Sequence, residues 1–312
     1  MDRTGSRSVG RFDATTVLLF LGCVVLASGN FIAVRYSNLE LAPMWGAGLR
    51  FALAAVIFTL IAAASGAKRP SSGARTLTVF YGLLNFGVFY ALMYWSLLRV
   101  TAGTASVVIA VVPLLTLLLA AAQGLERLRL RALIGAGLAV AGIAVLTLGS
   151  SQLSGTPVAL LTLVLAAAAI AQSIILGKRI AGYSPAVTNA YGMSIGATLL
   201  LLLSLATGER WMWPSLPEAR WALLYLVTLG SVGLFALTLL LIRRWAPSAS
   251  AYVLVIVPIV TLLLEAVISD VPVTAAAVFG AVLVMLGAWL GALSGRPGVS
   301  PEPSTVTTEV SG

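Results

Sequence analysis

Arg35 and Arg50 stand inside apolar runs of a chain whose charged fraction is 9% and whose hydrophobic fraction is 60%. The stretch LASGNFIAVRYSNLELAPMWGAGLRF, from Leu26 to Phe51, holds both, together with Asn30 and Glu40. Groups of these types could hold a solute carboxylate, form an ion pair that opens and closes, or relay a proton. A charged side chain near a bilayer centre costs from about 2.5 kcal/mol upward, so it must face a bundle interior or water. Arg50 lies roughly 10 Å from the outer end of its run at helical rise and needs a partner. Arg35, Glu40 and Glu265 fall near that same face. The expectation is an outer-side ion-pair cluster in which Arg50 or Arg35 meets Glu265, gating a cavity or holding a solute's carboxylate. The alternative leaves Arg35 snorkelling to the interface and Arg50 bridging to a carbonyl or to Glu265. Glu265 has a second possible role: a half-buried carboxylate tends toward a raised pKa and could carry a proton inward as solute leaves.

Two prolines, Pro113 and Pro258, fall at mid-run, where each removes a backbone donor and frees a carbonyl about one turn earlier, near Ile109 and Leu254. They read as hinges or as static kinks. Among neutral groups, Asn30, Asn85, Gln172, Asn189 and Ser231 could line a polar route, with Tyr90, Trp95, Phe235 and Tyr252 as its walls. Interhelical amide and hydroxyl bonds are their other use. Gly287 and Gly291, at GxxxG spacing, read as a close-packing seam or as part of a homodimer interface.

The elements that position these residues follow from hydropathy. Soluble domains are about 45–50% apolar, whereas this chain has a mean hydropathy of +1.04. Ten runs, at about 15–36, 43–64, 76–98, 101–122, 130–149, 156–176, 185–206, 221–242, 247–268 and 274–294, approach the roughly 20 residues that a membrane-crossing helix needs. A barrel would require period-two alternation, which LLLLLSLATG lacks. The predicted fold is therefore an all-α polytopic membrane protein.

Charge placement sets orientation. Of the 19 Lys and Arg residues, 14 fall on the side of the N-terminus when the loops are alternated and 3 on the other, Arg35 and Arg50 lying inside the spans. That asymmetry predicts that both termini are cytoplasmic and argues against nucleic acid as the reason for the net charge of +9. The first apolar run exceeds the roughly 7 to 15 residues of a signal-peptide core, so it reads as an uncleaved helix. A single Cys23 forms no intrachain disulfide. Residues 1–14 read as a cytoplasmic segment and 295–312, rich in Pro, Ser and Thr, as a disordered cytoplasmic tail.

The chain also repeats. At an offset of 145, Arg99 matches Arg244, Pro113 matches Pro258, Thr116 matches Thr261, and Gly135, Ala136 and Gly142 match Gly280, Ala281 and Gly287. Residues 15–150 and 151–294 read as two five-helix repeats. Five is odd, so the second enters the membrane inverted, an arrangement that gives outward-open and inward-open states of similar energy.

SGNFIAVR ending the first helix, a proline opening the second, LRFALAA within it, and YALMYWSLLRVTAGTASVVIAVVPLLTLLLAAAQGLERL with its echo RRWAPSASAYVLVIVPIVTLLLEAV resemble the EamA family of the drug/metabolite transporter superfamily. The sequence departs from that pattern at Ala27 and Ser28, where tryptophan is usual, and Glu126 has only Asp270 as its rough counterpart. The resemblance implies ten helices, cytoplasmic termini in the inner or plasma membrane, a central cavity to which the helices of Asn30 and Asn85 contribute, and efflux or exchange of small metabolites, often amino acids. With no glutamate in helix one, cationic drugs are disfavoured; Arg35 and Arg50 suit a carboxylate-bearing or zwitterionic solute. A phosphate-ester or nucleotide-sugar exchanger and a multidrug exporter remain as alternatives on the same fold.

An enzyme finds little support. The chain has no His, no GxGxxG, no phosphate-gripping GxxxxGK[ST] and no aspartate pair within its spans. No cofactor or metal site is read. The expected partners are a small solute, membrane lipid and, under the Glu265 reading, protons, with no nucleic acid, for a monomer or a homodimer. Cysteines introduced in residues 1–14 and 295–312 should react with a membrane-impermeant maleimide only from the cytoplasmic side; labelling of the two ends from opposite sides would overturn the five-plus-five arrangement.

Overall fold

The computed structural model describes residues 14–67, 72–125, 130–148, 157–180, 182–244, 252–270 and 272–293. The expected terminal segments, apart from Ala14, and Glu126 lie outside the described residues. Helix α1 spans Ala14–Ser37 and α2 spans Pro43–Ala64. Helix α3 joins Ser72–Gly82, a π-helical turn Leu83–Val88 and Phe89–Ser96. Helix α4 comes in two pieces, Ala102–Ile109 and Val112–Ala122. Then follow α5 (Leu130–Leu148), α6 (Pro157–Arg179) and α7 (Pro185–Ala206). Helix α8 joins Pro217–Val227, a π-helical turn Thr228–Gly233 and Leu234–Arg244. Helix α9 is Tyr252–Ile268, and α10 joins Ala275–Ala288 to a π-helical end, Trp289–Leu293.

Seven of these helices are long and apolar enough to cross a membrane by length and composition, and Leu130–Val145, Ile256–Ile268 and Ala275–Gly291 are shorter apolar helices. Helical backbone is what hydrocarbon demands, because it pairs every interior amide within its own segment. Local signals fix the ends. Pro43, Pro185 and Pro217 each stand in the first turn, where a missing N–H costs nothing. Gly66 and Gly208, at φ +61° and +68°, close α2 and α7 in the left-handed conformation that only glycine adopts freely. The expected boundaries hold to a few residues except at α3 and α8, each of which starts four residues early; at α8 Pro217 and Glu218 form the first turn ahead of the apolar run. The expected start of α9 falls at 247, outside the described residues.

The helix pairs that touch follow a rule. Helix α2 packs along α7, α5 along α10 and α4 against α9, each with its fifth successor. The pair α1–α9 has its counterpart in α6–α4, α3–α7 in α8–α2, and α3–α6 in α8–α1. The two π-helical turns obey it too: Thr228 and Gly233 lie 145 residues after Leu83 and Val88, the offset of the sequence repeat. A π-helical turn shifts the register of one face by a residue, and both turns sit where another helix presses close.

The glycines of α5 and α10 form the expected seam. A Cβ at Gly135 would lie 2.5 Å from the Gly287 carbonyl oxygen, one at Gly287 would lie 2.5 Å from that of Gly135, and one at Gly142 would lie 2.7 Å from that of Gly280. This seam joins two helices of one chain. Gly287→Val should therefore push backbone from backbone and cost about 3 kcal/mol or more, read as a lowered thermal midpoint in detergent. Gly137→Val on the same α5, with nothing within 4 Å of a Cβ, should leave the midpoint unchanged.

Candidate functional site

Arg50 is fully buried, with 0% of its surface exposed. Its Nε donates to Ser231 Oγ at 3.0 Å, Nη2 to the Gly230 carbonyl at 3.1 Å, and Nη1 to the Tyr94 hydroxyl at 3.5 Å. The rings of Phe51 and Tyr90 lie 4.9 and 5.1 Å from its guanidinium carbon. Among the described residues no carboxylate reaches it. The π-helical turn of α8 shapes this contact: Ser231 Oγ donates to the Leu226 carbonyl at 2.8 Å, five residues back, and so turns its lone pairs to Arg50. Of the guanidinium's five N–H bonds, three have partners.

Asn30 on α1 joins the same carbonyl, its Nδ2 donating to Gly230 O at 3.0 Å. That donation fixes the amide's orientation, since the flipped rotamer would set oxygen against oxygen. Asn30 Oδ1 is then buried with no hydrogen-bond partner. A Cβ at position 230 would collide with it, so glycine is what lets α1 approach α8 here. Burying an unpaired cation and an orphan acceptor together is costly unless something else completes them.

At the end of the bundle where α1 stops and α4 begins stands a second cluster. Glu265 on α9 is 2% exposed. Its Oε1 accepts from Arg35 Nη1 at 2.5 Å and from Ala102 N–H at 2.7 Å, and its Oε2 accepts from Gly103 N–H at 2.7 Å. The carboxylate thus meets the first amides of α4, where the helix dipole favours a negative charge, and ties α1, α4 and α9 together. Of the two arginines expected there, Arg35 takes the ion pair and Arg50 does not, because α1 packs on α9 while α2 packs on α7 and α8.

Two further carboxylates cap helices at this end. Glu209 accepts from the N–H groups of Met44 and Trp45 at 3.1 and 2.8 Å at the start of α2, beside Trp45 stacked on Trp211 at 4.6 Å. Glu40 accepts from the N–H groups of Ser215 and Leu216 at 2.7 and 2.8 Å ahead of α8, and from the Ser215 hydroxyl. The Ser215 hydroxyl first, then the Leu216 amide, hold the Glu40 carboxyl below its usual range.

The remaining candidates are dispersed. Asn85, in the π-helical turn of α3, accepts from Ser173 Oγ on α6 at 2.9 Å. Gln172 accepts from Gln123 Nε2 at 2.8 Å, at the far end of α4. Trp95 carries the Arg99 guanidinium 3.6 Å above its ring, away from Arg50. Phe235 packs against Phe58 and Phe86, at 6.4 and 5.7 Å between ring centres. Asn189 is buried on α7, and the Tyr252 side chain lies outside the described residues. Pro113 coincides with the break in α4, whereas α9 runs on through Pro258. Sequence reasoning missed Tyr94, Gly230, Ser173 and Glu209; Gly230 was reachable, lying 145 residues after Asn85.

Cavities of about 330 and 360 Å³ run along α2 and α7, and one of about 330 Å³ lies between α1 and α8. Neither Arg50 nor Asn30 lines any of these three, and both side chains are buried.

The profile of the EamA-like transporter family matches residues 14–148 and again 157–292. The chain is 31% identical over 291 residues to a protein of Salmonella typhimurium named a probable amino-acid metabolite efflux pump, covering 89% of this chain and 95% of that one. It is 26% identical to an uncharacterised inner membrane transporter of Escherichia coli K12, over 91% and 94% of the two chains. A probable terminal-alkyne amino-acid exporter of Streptantibioticus cattleyicolor is 29% identical across 49% of this chain and 52% of its own. A solved crystal structure with 22% identity superposes with a TM-score of 0.63 over 90% of this chain and 97% of its own, a likeness of fold.

The Glu40 cap generates a pH dependence. A carboxyl whose folded pKa is depressed contributes stability above its unfolded pKa of about 4.3 and loses it as pH falls through the folded value. Melting curves taken from pH 6 down to about pH 3 should therefore fall more steeply for the wild-type chain than for Glu40→Gln; parallel curves would remove the cap from the account.

Proposed function

The chain belongs to the EamA-like transporter family, and on that premise we propose that it is a secondary transporter exporting an amino acid or a related carboxylate-bearing or zwitterionic solute. The observation that carries this reading is Arg50: a buried guanidinium with two N–H bonds free of partners and no carboxylate among the described residues. A solute carboxylate would complete it, and the orphan Asn30 Oδ1 beside it would accept from the solute's ammonium. The names of two relatives, an amino-acid metabolite efflux pump and an amino-acid exporter, favour the same class. One guanidinium suits a monoanion; a phosphate ester, with its higher charge, would lack a second cation there.

The transport cycle is alternating access between two inverted five-helix repeats with both termini cytoplasmic. The paired helix contacts, the matching π-helical turns and the double family match support it. The Arg35–Glu265–α4 clasp is the outer gate. Opening it separates a buried charge from its partners, at about 3–5 kcal/mol if left uncompensated. A proton arriving from outside on Glu265 neutralises the carboxylate and frees Arg35, which couples solute exit to proton entry. Asn85, Tyr90, Trp95, Gln172, Ser231 and Phe235 line the route in the open states, and Pro113 and Pro258 serve as its hinges.

The test is efflux of radiolabelled amino acids from proteoliposomes, with and without an outside-acid gradient. Arg50→Ala should abolish flux while the protein stays monodisperse, and Glu265→Gln should retain exchange but lose its dependence on the gradient. Undiminished flux in folded Arg50→Ala would overturn the solute site; a gradient effect surviving in Glu265→Gln would overturn the proton step alone.

A further inference from the structure

The cavity of about 330 Å³ between α1 and α8 lies outside the proposed solute path. Helix α8 gives it Glu218, Trp221, Ala222 and Tyr225, spaced i, i+3, i+4 and i+7 and therefore on one helix face. Helix α1 faces it with the same spacing, from Gly29 to Tyr36. At its floor the Tyr225 hydroxyl donates to the Leu26 carbonyl at 2.9 Å. Gly29 permits that approach, since a Cβ there would collide with the hydroxyl. At its rim the Tyr36 hydroxyl donates to the Ile268 carbonyl at 3.1 Å, tying in the end of α9. Trp221 stands at the mouth with 70% of its surface exposed.

The lining is apolar and aromatic except for Glu218, whose carboxylate has no ion pair or hydrogen-bond partner among the described residues. It stands in the first turn of α8. Aromatic faces attract cations through their quadrupole, and a carboxylate at the same wall adds direct attraction. Among the described residues no Lys or Arg lines the cavity, so a phospholipid headgroup would leave its phosphate unmatched there, and a zwitterionic amino acid its carboxylate. The volume sits at the lower end of the roughly 300–1,000 Å³ of small-molecule pockets. We propose that this cavity is a second binding site, separate from Arg50, for a lipophilic organic monocation of about one aromatic ring, entering from the outer leaflet.

Calorimetric titration of the full chain in lipid nanodiscs with benzyltrimethylammonium tests this, with benzyl alcohol and phenylacetate as neutral and anionic companions that share the ring. The cation should bind at least about tenfold more tightly than either companion, and Glu218→Gln and Trp221→Leu should each weaken it about tenfold. Flux of labelled amino acid should be unchanged in Glu218→Gln, which keeps this result independent of the proposed amino-acid site. Both side chains are exposed, so the variants should elute as the wild-type chain does. Equal binding of the three ligands, or wild-type affinity in both Glu218→Gln and Trp221→Leu, would overturn the proposal.

Discussion

An amide at the start of a helix has no partner within that helix, and near a bilayer it cannot count on water to supply one. Three helices solve this with carboxylates borrowed from elsewhere in the chain: α4 from Glu265, α2 from Glu209, and the approach to α8 from Glu40. Each bond joins segments far apart in sequence, so satisfying the helix ends also holds one end of the bundle together. The described acidic residues are Glu40, Glu209, Glu218, Glu265 and Asp270, and the caps engage three of them. None remains near Arg50.

That shortage gives the interior its character. Arg50 is held by a hydroxyl, a carbonyl and a phenol, neutral acceptors that lower the cost of burial without cancelling the charge. The other half of the bundle shows what its counterpart looks like without such a charge. There, Ser173 on α6 donates to Asn85 in the π-helical turn of α3, much as Asn30 on α1 donates to Gly230 in that of α8. On α7 the close approach to α3 is made by Gly192, whose Cβ would lie 2.9 Å from the Phe86 ring. The repeat thus builds the crevice twice and fills it once with a guanidinium. A site that differs between two otherwise matched halves is where a solute with distinct ends would find distinct partners.

The apolar helices and an arginine pairing with Glu265 were legible in the sequence because they rest on hydropathy and on the cost of unpaired charge. Which arginine would pair was not legible. Arg35 and Arg50 are fifteen residues apart on adjacent helices, and the choice turns on α1 lying against α9 while α2 lies against α7 and α8, which no local pattern encodes. The π-helical turns escaped for a related reason: Leu83–Val88 and Thr228–Gly233 contain no proline, and their extra residue is imposed by helices pressing from the other half. Glu40 and Glu209 looked like ordinary loop acids, since a cap is defined by the helix it reaches.

Pro113 and Pro258 show how one residue at equivalent positions yields unequal structure. Both lack the donor that would bond the residue four before, yet α4 breaks at Ala110–Val111 and α9 stays continuous. In α4 the Ala110 amide is shared between the Ser106 and Val107 carbonyls, at 3.0 and 3.2 Å, a tightening that closes the first piece before Pro113 begins the second. The first piece packs on α9, α6, α1 and α10, and its first amides are held by Glu265; the second piece packs most closely on α6. Under alternating access this division matters. A continuous helix clamped at one end would transmit any movement along its whole length, whereas a broken one lets the clamped first piece swing while the second keeps its contacts. The break in α4 therefore lies between the part of the bundle that the Glu265 clasp controls and the part that it does not.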